Sequence, residues 1–466
     1  MRAATDILQW LFLAYFIGVN LVYVALNLLA VPTLRRYLAI RPVADLPPVY
    51  SGFEPPVSVL VPAYNEEATI VTSVRSLLQL DYPEFEIVVV NDGSRDATLA
   101  RLREAFGLKP FPEAYWERIP GKPFRAVYTS RLHPGLRVVD KENGGKADAL
   151  NVGINVSRFP LFCAIDADSI LQRDSLRRVV QPFLDDPRTV ATGGTVRIAN
   201  GCTVSAGQLE KVDLPRNPLA LLQIVEYLRA FLFGRLGWAT LDAVLIISGA
   251  FGVFRKDAVV AAGGYRTDTM GEDMELIVRL HRVFRLRGEP YAVHFVPDPI
   301  CWTEAPETFA VLKSQRIRRQ RGLAESLALN GALMGSRHGG APGHLAYPFF
   351  LVFECWGPVI EVAGYAFMAA LAATGGISGA AFLAFLALAF SMGFLLSVSA
   401  LLLEEVSFHL YPRLSHVARL VLAAAAENLG YRQLVTLWRL VGLVRWLRGA
   451  KAQWGTMTRR GSWQSG

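Results

Sequence analysis

The stretch Leu161-Phe-Cys-Ala-Ile-Asp-Ala-Asp-Ser-Ile-Leu171 decides the predicted fold. Its apolar run predicts a buried strand, and the carboxyl end of such a strand is where an open α/β sheet presents ligand-binding groups. Asp166 and Asp168 lie at that end and can together face a hard divalent cation and a phosphate group. An Asp-x-Asp pair also occurs in ordinary solvated turns. The other segments of the chain must therefore decide whether this pair is a binding site or a turn.

Strands and helices alternate on both sides of this stretch. The alternation predicts a largely parallel sheet with crossover helices, which is an α/β fold. The predicted strands are 57–62, 85–90, 125–128, 136–139 and 161–165, and the predicted helices are 66–80, 96–106, 146–156 and a segment after Arg173.

The composition indicates a polar domain joined to membrane segments. The chain has 466 residues, of which 52% are hydrophobic and 19% charged, enough for about two or three domains. A net charge of +8 suits either nucleic acid or an anionic membrane surface. Basic residues beside the apolar runs favour membrane lipids, and no nucleic-acid partner is expected. The four cysteines fit no metal-ligand spacing, so free thiols are predicted.

Long uncharged runs predict the membrane segments. Residues 7–31 carry no charge and are followed by Arg35, Arg36 and Arg41, which predicts a retained helix whose N-terminus faces outward. Residues 404–466 contain either a broken span or interfacial helices, followed by a basic cytosolic tail. The predicted division is a membrane helix at 1–34, a linker at 35–55, a cytosolic domain at 56–335, two membrane helices within 346–403 (346–372 and 379–403), and the segment 404–466.

Two segments of the predicted cytosolic domain have interfacial character. Residues 218–236 are amphipathic and either lie at the membrane interface or pack on the domain. Within 308–335, five of the nine residues from Lys313 to Arg321 are cationic, which suits a phosphate clamp or a lipid-facing rim.

Two candidate donor-binding groups precede the Asp pair. Asp92 ends the second strand in Asn91-Asp-Gly-Ser94, where a carboxylate can bind a nucleobase or ribose or can form an Asx turn that caps the next helix. Lys146 follows Gly144-Gly145 at a predicted helix start, where backbone amides can approach an anion. A glycine turn with a solvated lysine is the alternative interpretation.

A candidate base follows the Asp pair. Glu272 and Asp273 open a predicted helix in Thr269-Met-Gly-Glu-Asp-Met-Glu275. Carboxylates at that position favour the helix macrodipole, which alone accounts for them structurally. The functional alternative is a general base, which requires a carboxylate near an acceptor hydroxyl.

Taken together, these motifs resemble the membrane-embedded family-2 glycosyltransferases, the group that contains hyaluronan, cellulose and poly-N-acetylglucosamine synthases. The resemblance runs from Val57 to the tail. The matching motifs are Val61-Pro-Ala-Tyr-Asn-Glu66, Asn91–Ser94, Gly144–Asn151, the pair Asp166 and Asp168, Gly271-Glu272-Asp273, and Gln315-Arg-Ile-Arg318-Arg319.

The resemblance implies an enzyme with a cytosolic GT-A domain at the bacterial inner membrane. The donor would be a nucleotide-diphosphate sugar, expected to be UDP-linked, used with Mg²⁺ or Mn²⁺ and transferred with inversion to a growing polysaccharide that the membrane helices could export. A non-processive transferase acting on a lipid or lipid-linked acceptor is the alternative, and a catalytically dead scaffold or transporter is an alternative of another class.

The resemblance also implies roles for individual residues. Asp92 would bind the nucleoside, Lys146 the diphosphate, Asp168 the metal, and Asp166 the donor or the metal. Asp273, next to Glu272, would deprotonate the acceptor hydroxyl, while Arg318 with Gln315 would neutralise the leaving diphosphate.

The chain departs from the family pattern at two positions. Arg319 stands where polymerising members have a tryptophan on which the acceptor sugar stacks, and a guanidinium is a poorer platform. Trp302 is a candidate replacement for this platform, with a core tryptophan as the alternative. Gly271 replaces a threonine of the motif.

Overall fold

The computed structural model describes residues 2–44, 52–112, 115–205 and 207–450. Its strands are β1 (Val57–Ala63), β2 (Phe85–Asp92), β3 (Leu108–Pro110), β4 (Phe124–Ser130), β5 (Leu136–Lys141), β6 (Leu161–Ile165), β7 (Ile170–Leu171), β8 (Thr189–Ile198), β9 (Thr203–Ser205), β10 (Gln208–Lys211), β11 (Phe251–Arg255) and β12 (Ala292–Thr303).

The helices follow the same chain order. They are α1 (Arg2–Ala44), α2 (Ile70–Leu77), α3 (Thr98–Phe106), α4 (Lys146–Val156), α5 (Ser175–Asp185), α6 (Pro218–Leu228), α7 (Leu236–Thr240), α8 (Lys256–Ala261), α9 (Glu272–Arg287), α10 (Phe309–Leu329), α11 (Ala332–Gly335), α12 (Tyr347–Phe349), α13 (Gly357–Ala373), α14 (Gly379–Ser407), α15 (Leu414–Ala426) and α16 (Arg432–Leu447). Short π-helical segments occur at Arg229–Arg235, Pro342–Ala346, Phe350–Cys355 and Glu427–Tyr431.

A ten-stranded sheet forms the centre of the domain, in the order β3-β4-β5-β2-β1-β6-β11-β8-β12-β7. The four neighbours β5, β2, β1 and β6 are parallel, which confirms the predicted α/β fold. Antiparallel pairing of β11 with β6 and β8, and of β4 with β5, makes the whole sheet mixed. Since β1, β2 and β6 point the same way, their carboxyl ends meet at one edge.

Buried apolar strands and one closely packed helix hold this centre together. Every residue of β6 is buried, as its unbroken apolar sequence predicts. Helix α4 spans the predicted residues, and its Gly153 lies against Leu60 of β1 and Val90 of β2. A Cβ at Gly153 would lie 3.4 Å from both side chains, so the glycine allows α4 to pack closely on the sheet. The four cysteines are buried free thiols, as predicted.

The N-terminal helix is longer than predicted. Helix α1 continues to Ala44, so the part of the predicted linker over 35–44 is helical and that boundary is wrong. The C-terminal part of this helix is anchored to the sheet, because the Tyr37 hydroxyl donates a hydrogen bond to Asp298 of β12. Residues 45–51 of the predicted linker and 451–466 of the predicted basic tail lie outside the described residues.

Two described helices are long and apolar enough to cross a membrane, within Thr5–Ala39 and Gly379–Ser407. The predicted span at 346–372 is not one straight helix, because Pro342–Cys355 and Gly357–Ala373 are bent by 44° relative to each other. After residue 404, α15 and α16 are separated by the non-helical residues Leu429 and Gly430. Helix α16 packs beside α10 of the central domain.

The amphipathic segment 218–236 forms α6 and the π-helical segment Arg229–Arg235. Asn217 caps α6, because its side-chain oxygen accepts hydrogen bonds from the amides of Leu219 and Ala220 at 2.8 and 3.2 Å. The segment packs on β8 of the sheet and also on α14, and its π-helical part contacts α1. It therefore joins the domain to both membrane-length helices.

A buried ion pair also joins α14 to the sheet. Arg197, near the end of β8, contacts Glu404 of α14, and their side chains are 2% and 0% exposed. Breaking such a pair by removing one partner is costly, because the other charge stays buried without compensation.

We expect Glu404→Gln to lower the free energy of unfolding by about 3–5 kcal/mol, because Arg197 would keep its buried charge without a counter-ion. Thermal unfolding of the purified protein in detergent measures this. Glu405→Gln is the matched control on the same helix, since the Glu405 side chain is 30% exposed. Equal losses of stability in the two variants would contradict this account of the pair.

Candidate active site

The predicted donor-binding residues lie at the carboxyl edge of the parallel strands. Asp92 is the last residue of β2, Asp166 directly follows β6, and Lys146 is the first residue of α4. Because β2, β1 and β6 are neighbouring parallel strands, the sheet brings these three side chains to one edge. Residues separated by as many as 74 positions in sequence therefore share one site.

Asp92 holds the glycine loop that precedes α4. One carboxylate oxygen accepts hydrogen bonds from the Gly144 amide at 2.9 Å and the Lys141 ammonium at 2.5 Å. The other accepts from the Gly145 amide at 2.7 Å and the Asn143 side chain at 3.1 Å. With only 3% exposure, Asp92 is a buried support of the loop. Its predicted contact with the nucleoside stays a prediction.

The two glycines of this loop are required by its geometry. Gly145 has φ of +89°, in the region that favours glycine. A Cβ on Gly144 would lie 2.6 Å from the carboxylate of Asp148. The loop therefore presents backbone close to the site and ends at the N-terminus of the 11-residue helix α4. Such a terminus favours a bound anion.

Lys146 connects the donor edge to the predicted base motif. Its ammonium lies 2.6 Å from Asp166 and 3.6 Å from Glu272, and it donates a hydrogen bond to the Gly249 carbonyl at 3.0 Å. Burial alone would lower the pKa of Lys146, but the charges of Asp166 and Glu272 raise this pKa well above its ordinary range. Lys146 is therefore a permanent cation, and it lines a small pocket together with Glu272 and Asp273.

Asp273 is oriented by two backbone amides. One carboxylate oxygen accepts a hydrogen bond from the Gly249 amide at 2.9 Å, and the other accepts from the Met274 amide at 2.8 Å. The side chain is half-buried at the first turn of α9. An ionised carboxylate has about four acceptor sites, so these two bonds leave capacity for a substrate hydroxyl.

Glu272 is buried between charges of both signs. Burial raises the pKa of its carboxyl to about 7, and the charges of Asp273 and Asp166 act in the same direction, against the lowering effect of Lys146. At neutral pH the group is therefore partly protonated and limits the negative charge around Lys146.

Helix α10, which carries the predicted residues Gln315, Arg318 and Arg319, approaches α9 through a contact between two glycines. A Cβ on Gly271 would lie 2.9 Å from the backbone of Gly322 in α10, so these two segments touch backbone to backbone. This contact explains why glycine replaces the threonine of the family motif. It places α10, with Gln315, Arg318 and Arg319, beside the first turn of α9.

On α10 the predicted residues have different surroundings. Gln315 and Arg318 are half-buried and lie three residues apart, on one face of the helix. Arg319 is exposed, and its guanidinium lies 5.8 Å from the ring centre of Tyr227 and donates a hydrogen bond to that hydroxyl at 3.4 Å. No sequence motif singles out Tyr227, although it lies in the segment that was predicted to be amphipathic.

Trp302 is not an acceptor platform. Its side chain is 0% exposed and packs with Ile170, Ala199, Cys202 and Val204 beneath the edge of the sheet. It lies in β12, paired with Ile170 of β7, so the indole is a core residue and that prediction is wrong. An aromatic residue in an apolar strand is more often packed inside than offered to a ligand.

The pair Asp166 and Asp168 fits a divalent cation shared with a substrate. Asp166 is half-buried and Asp168 is 8% exposed, in a turn closed by a 3.0 Å hydrogen bond from the Ser169 amide to the Asp166 carbonyl. Among the described ranges, no group of three or more His, Cys, Asp or Glu side chains could hold a metal alone. Mg²⁺ is commonly bound by one or two carboxylates together with substrate phosphates, which is what two aspartates at this edge offer.

A mixed sheet whose parallel strands end in a glycine loop and a pair of aspartates is the fold of GT-A nucleotide-sugar transferases. The structure is similar to that of the mannosyltransferase PcManGT from Pyrobaculum calidifontis, solved with GDP-Man and Mn²⁺, with a TM-score of 0.54 and 21% identity. The alignment covers 92% of this chain and 99% of that one. At this identity the likeness concerns the fold alone.

The chain contains glycosyltransferase family 2 domains. Residues 58–118 match the family described as Glycosyl transferase family 2, and residues 127–322 match Glycosyltransferase like family 2. Curated relatives include poly-beta-1,6-N-acetyl-D-glucosamine synthases from Staphylococcus epidermidis, 28% identical over 272 residues, and Staphylococcus aureus (strain COL), 31% identical over 274 residues. Each alignment covers 58% of this chain and 55% of the relative, so the chain matches about half the length of these relatives.

We expect the stability of the protein to depend on the proton of Glu272. Between its ordinary pKa of 4.5 and about 7, the folded protein retains a proton that the unfolded chain releases. The contribution of this group to the free energy of unfolding therefore falls as the pH rises through that window. Glu272→Gln should reduce the slope of the unfolding temperature against pH between about 4.5 and 7. The reason is that the variant no longer retains an extra proton, about one per molecule, in the folded state.

The matched control for this pH series is Glu289→Gln, whose side chain is 48% exposed. It should retain the pH dependence of the unsubstituted protein. If Glu272→Gln and Glu289→Gln gave the same pH profile, the raised pKa of Glu272 would be refuted.

Proposed function

We propose that the protein is an inverting glycosyltransferase that moves a sugar from a nucleotide-diphosphate sugar, UDP-linked, to a growing polysaccharide at the bacterial inner membrane. One observation carries the proposal: Lys146 bridges Asp166 at the donor edge to Glu272, whose neighbour Asp273 lines the same pocket. Donor and acceptor groups would therefore meet within one site. The names of the staphylococcal relatives support a polysaccharide product.

The donor would be held by its diphosphate. The glycine loop supported by Asp92 and the N-terminus of α4 offer backbone amides to an anion, and Lys146 adds a fixed positive charge. Asp168 and Asp166 would hold Mg²⁺ or Mn²⁺. When bound, this ion offsets negative charge that develops on the leaving diphosphate.

The acceptor would react at Asp273. The acceptor hydroxyl gives its proton to the Asp273 carboxylate as its oxygen forms a bond to the anomeric carbon of the donor sugar. The bond from that carbon to the diphosphate oxygen breaks at the same time, so the configuration inverts and a nucleoside diphosphate leaves. The amides of Gly249 and Met274 hold the carboxylate in place for this transfer. Arg318 with Gln315 would neutralise the leaving group.

The proposed location follows from the apolar helices. Helices α1 and α14 are long enough to span a bilayer, and both pack against the segment that joins them to the domain. Arg35, Arg36 and Arg41 follow the apolar part of α1, which orients the catalytic domain toward the cytosol by the positive-inside rule. Membrane lipids and a glycan or lipid-linked acceptor are then the partners of the protein.

We expect Asp273→Asn to lower kcat about 10²–10⁴-fold, because an amide cannot accept the hydroxyl proton. The KM for the nucleotide sugar should change little, since Asp273 is placed on the acceptor side. The measurement is release of nucleoside diphosphate from a panel of nucleotide sugars by the purified full-length protein.

The control for this substitution is Asp268→Asn in the same segment, whose side chain is 62% exposed and pairs with Arg266. This variant should retain activity. Unchanged product formation by Asp273→Asn, with normal donor binding, would refute the assignment of the base.

A second candidate function is the addition of a single sugar to a lipid-linked acceptor. It is favoured by Arg319, which stands in place of an aromatic platform, and by the burial of Trp302, which removes the replacement platform. Neither residue offers the flat apolar face that would hold a sliding sugar chain.

Product length separates the two candidates. With radiolabelled nucleotide sugar, polysaccharide extension should give a ladder or a high-molecular-weight product, because each product is again an acceptor. A product that stops after one addition, at any ratio of donor to acceptor, would contradict extension and support the second candidate.

A further inference from the structure

Two arginines beside the proposed base are left without counter-ions. Arg235 ends the π-helical segment Arg229–Arg235, and Arg319 lies on α10. Among the residues that the structure describes, neither guanidinium forms an ion pair with a carboxylate, and Nη1 of Arg235 is buried without a hydrogen-bond partner. The charge of Asp273 acts on both groups, which places the pair on the acceptor side of the site.

Neighbouring aromatic rings hold the two guanidinium groups. Tyr227 and Phe231 are one helical turn apart, and their ring centres are separated by 5.6 Å. The Arg235 guanidinium carbon lies 3.7 Å from the ring centre of Phe231, while Arg319 lies over Tyr227. A cation over a ring gains about 0.5–2 kcal/mol and still has N–H groups for an anion.

Two other arginines on the same elements are paired. Arg229, in the same π-helical segment as Arg235, contacts Glu427 at 2.6 Å. Arg316, three residues before Arg319 on α10, contacts Glu226 at 2.6 Å. The absence of a carboxylate is therefore specific to Arg235 and Arg319 and is not a property of these helices.

The charge of Arg235 is held in unfavourable surroundings. Burial and the positive charge of Arg319 together lower the pKa of Arg235 to about 10. Placing two like charges together is unfavourable unless an anion joins them. Arg319 also occupies the position where the family motif has the tryptophan that contacts the acceptor, so the natural counter-ion is a group of the acceptor itself.

We propose that Arg235 and Arg319 bind a phosphate group of the acceptor, which specifies the lipid-linked acceptor of the second candidate function as a phosphate-bearing one. A phosphate that joins a sugar to a lipid has two non-bridging oxygens, and these can accept hydrogen bonds from two guanidinium groups at once. This inference rests on the transfer reaction proposed above. The reacting hydroxyl of the same acceptor gives its proton to Asp273, and the bonds that form and break are unchanged.

The position of the pair indicates where the phosphate comes from. The segment Arg229–Arg235 packs against both membrane-length helices, α1 and α14. An acceptor whose phosphate reaches this segment can keep a hydrocarbon chain beside those helices. A lipid-borne phosphate is therefore the expected source, and a soluble sugar phosphate has the same binding chemistry.

Three acceptors with the same reacting sugar test the proposal on the full-length protein in detergent. They are N-acetylglucosamine joined by phosphate to a polyprenyl lipid, soluble N-acetylglucosamine 1-phosphate, and the phosphate-free dodecyl N-acetylglucosaminide. Transfer from radiolabelled nucleotide sugar should favour the phosphate-bearing lipid at least tenfold over the phosphate-free one. Equal use of the soluble phosphate would assign the specificity to phosphate alone, while preference for the lipid would add a membrane-borne source.

Arg235→Gln and Arg319→Gln test the two side chains. Each should raise the KM for the phosphate-bearing lipid at least tenfold and leave the KM for the nucleotide sugar unchanged. Each should weaken equilibrium binding of that radiolabelled lipid by a similar factor, which is a readout independent of turnover. Arg319→Lys should restore part of the binding, since it retains the charge.

The control is Arg266→Gln, a partly exposed arginine that pairs with Asp268. It should leave acceptor KM unchanged. Both glutamine variants should still unfold in one cooperative transition, so that a loss of lipid binding reports on the guanidinium groups and not on misfolding.

Two outcomes would overturn the inference alone: transfer to the phosphate-free lipid as good as to its phosphate-bearing counterpart, or glutamine variants that raise the donor KM instead of the acceptor KM. A protein that transfers sugar to none of the three acceptors and releases no nucleoside diphosphate from any donor would overturn the proposed function as well.

Discussion

The contact of Lys146 with Asp166 and Glu272 is the interaction on which the site depends. It neutralises two carboxylates that the sheet edge and the first turn of α9 would otherwise bring together as like charges. A lysine with fewer anionic neighbours would lose its charge on burial, and buried carboxylates without the lysine would take up protons. Because the ammonium also bonds the Gly249 carbonyl, the same residue positions the loop whose amide holds Asp273.

Close backbone contacts bring the remaining groups to this centre. The approach of Gly271 to Gly322 leaves no room for a side chain on either, so α10 lies directly on the start of α9. The guanidinium groups on α10 are thereby set near the first turn of α9. The site is assembled from one sheet edge, one glycine loop and two helix faces, and each part is held by a contact to the next.

Connections to the apolar helices make the domain and the membrane segments one packed unit. Tyr37 of α1 bonds Asp298 of β12, and Glu404 of α14 pairs with Arg197 of β8. Both contacts reach the strands that form the far half of the sheet. The segment between α6 and α7, which carries Arg235, also contacts both helices.

The sequence by itself determined the elements whose signals are local. The apolar runs of β1, β2 and β6, the glycine loop before α4 and the carboxylates at their ends predicted the parallel centre and its donor edge, because burial on both faces requires unbroken apolar strands. The sequence did not predict strand β8, because two consecutive glycines, Gly193 and Gly194, are typical of a turn that ends a strand. Only packing explains them: a Cβ on Gly194 would lie 2.6 Å from Ile300. Tertiary structure alone also decided that Trp302 is buried, that Asp92 supports a loop, and that Arg235 meets Arg319, because these facts depend on contacts between residues far apart in the chain.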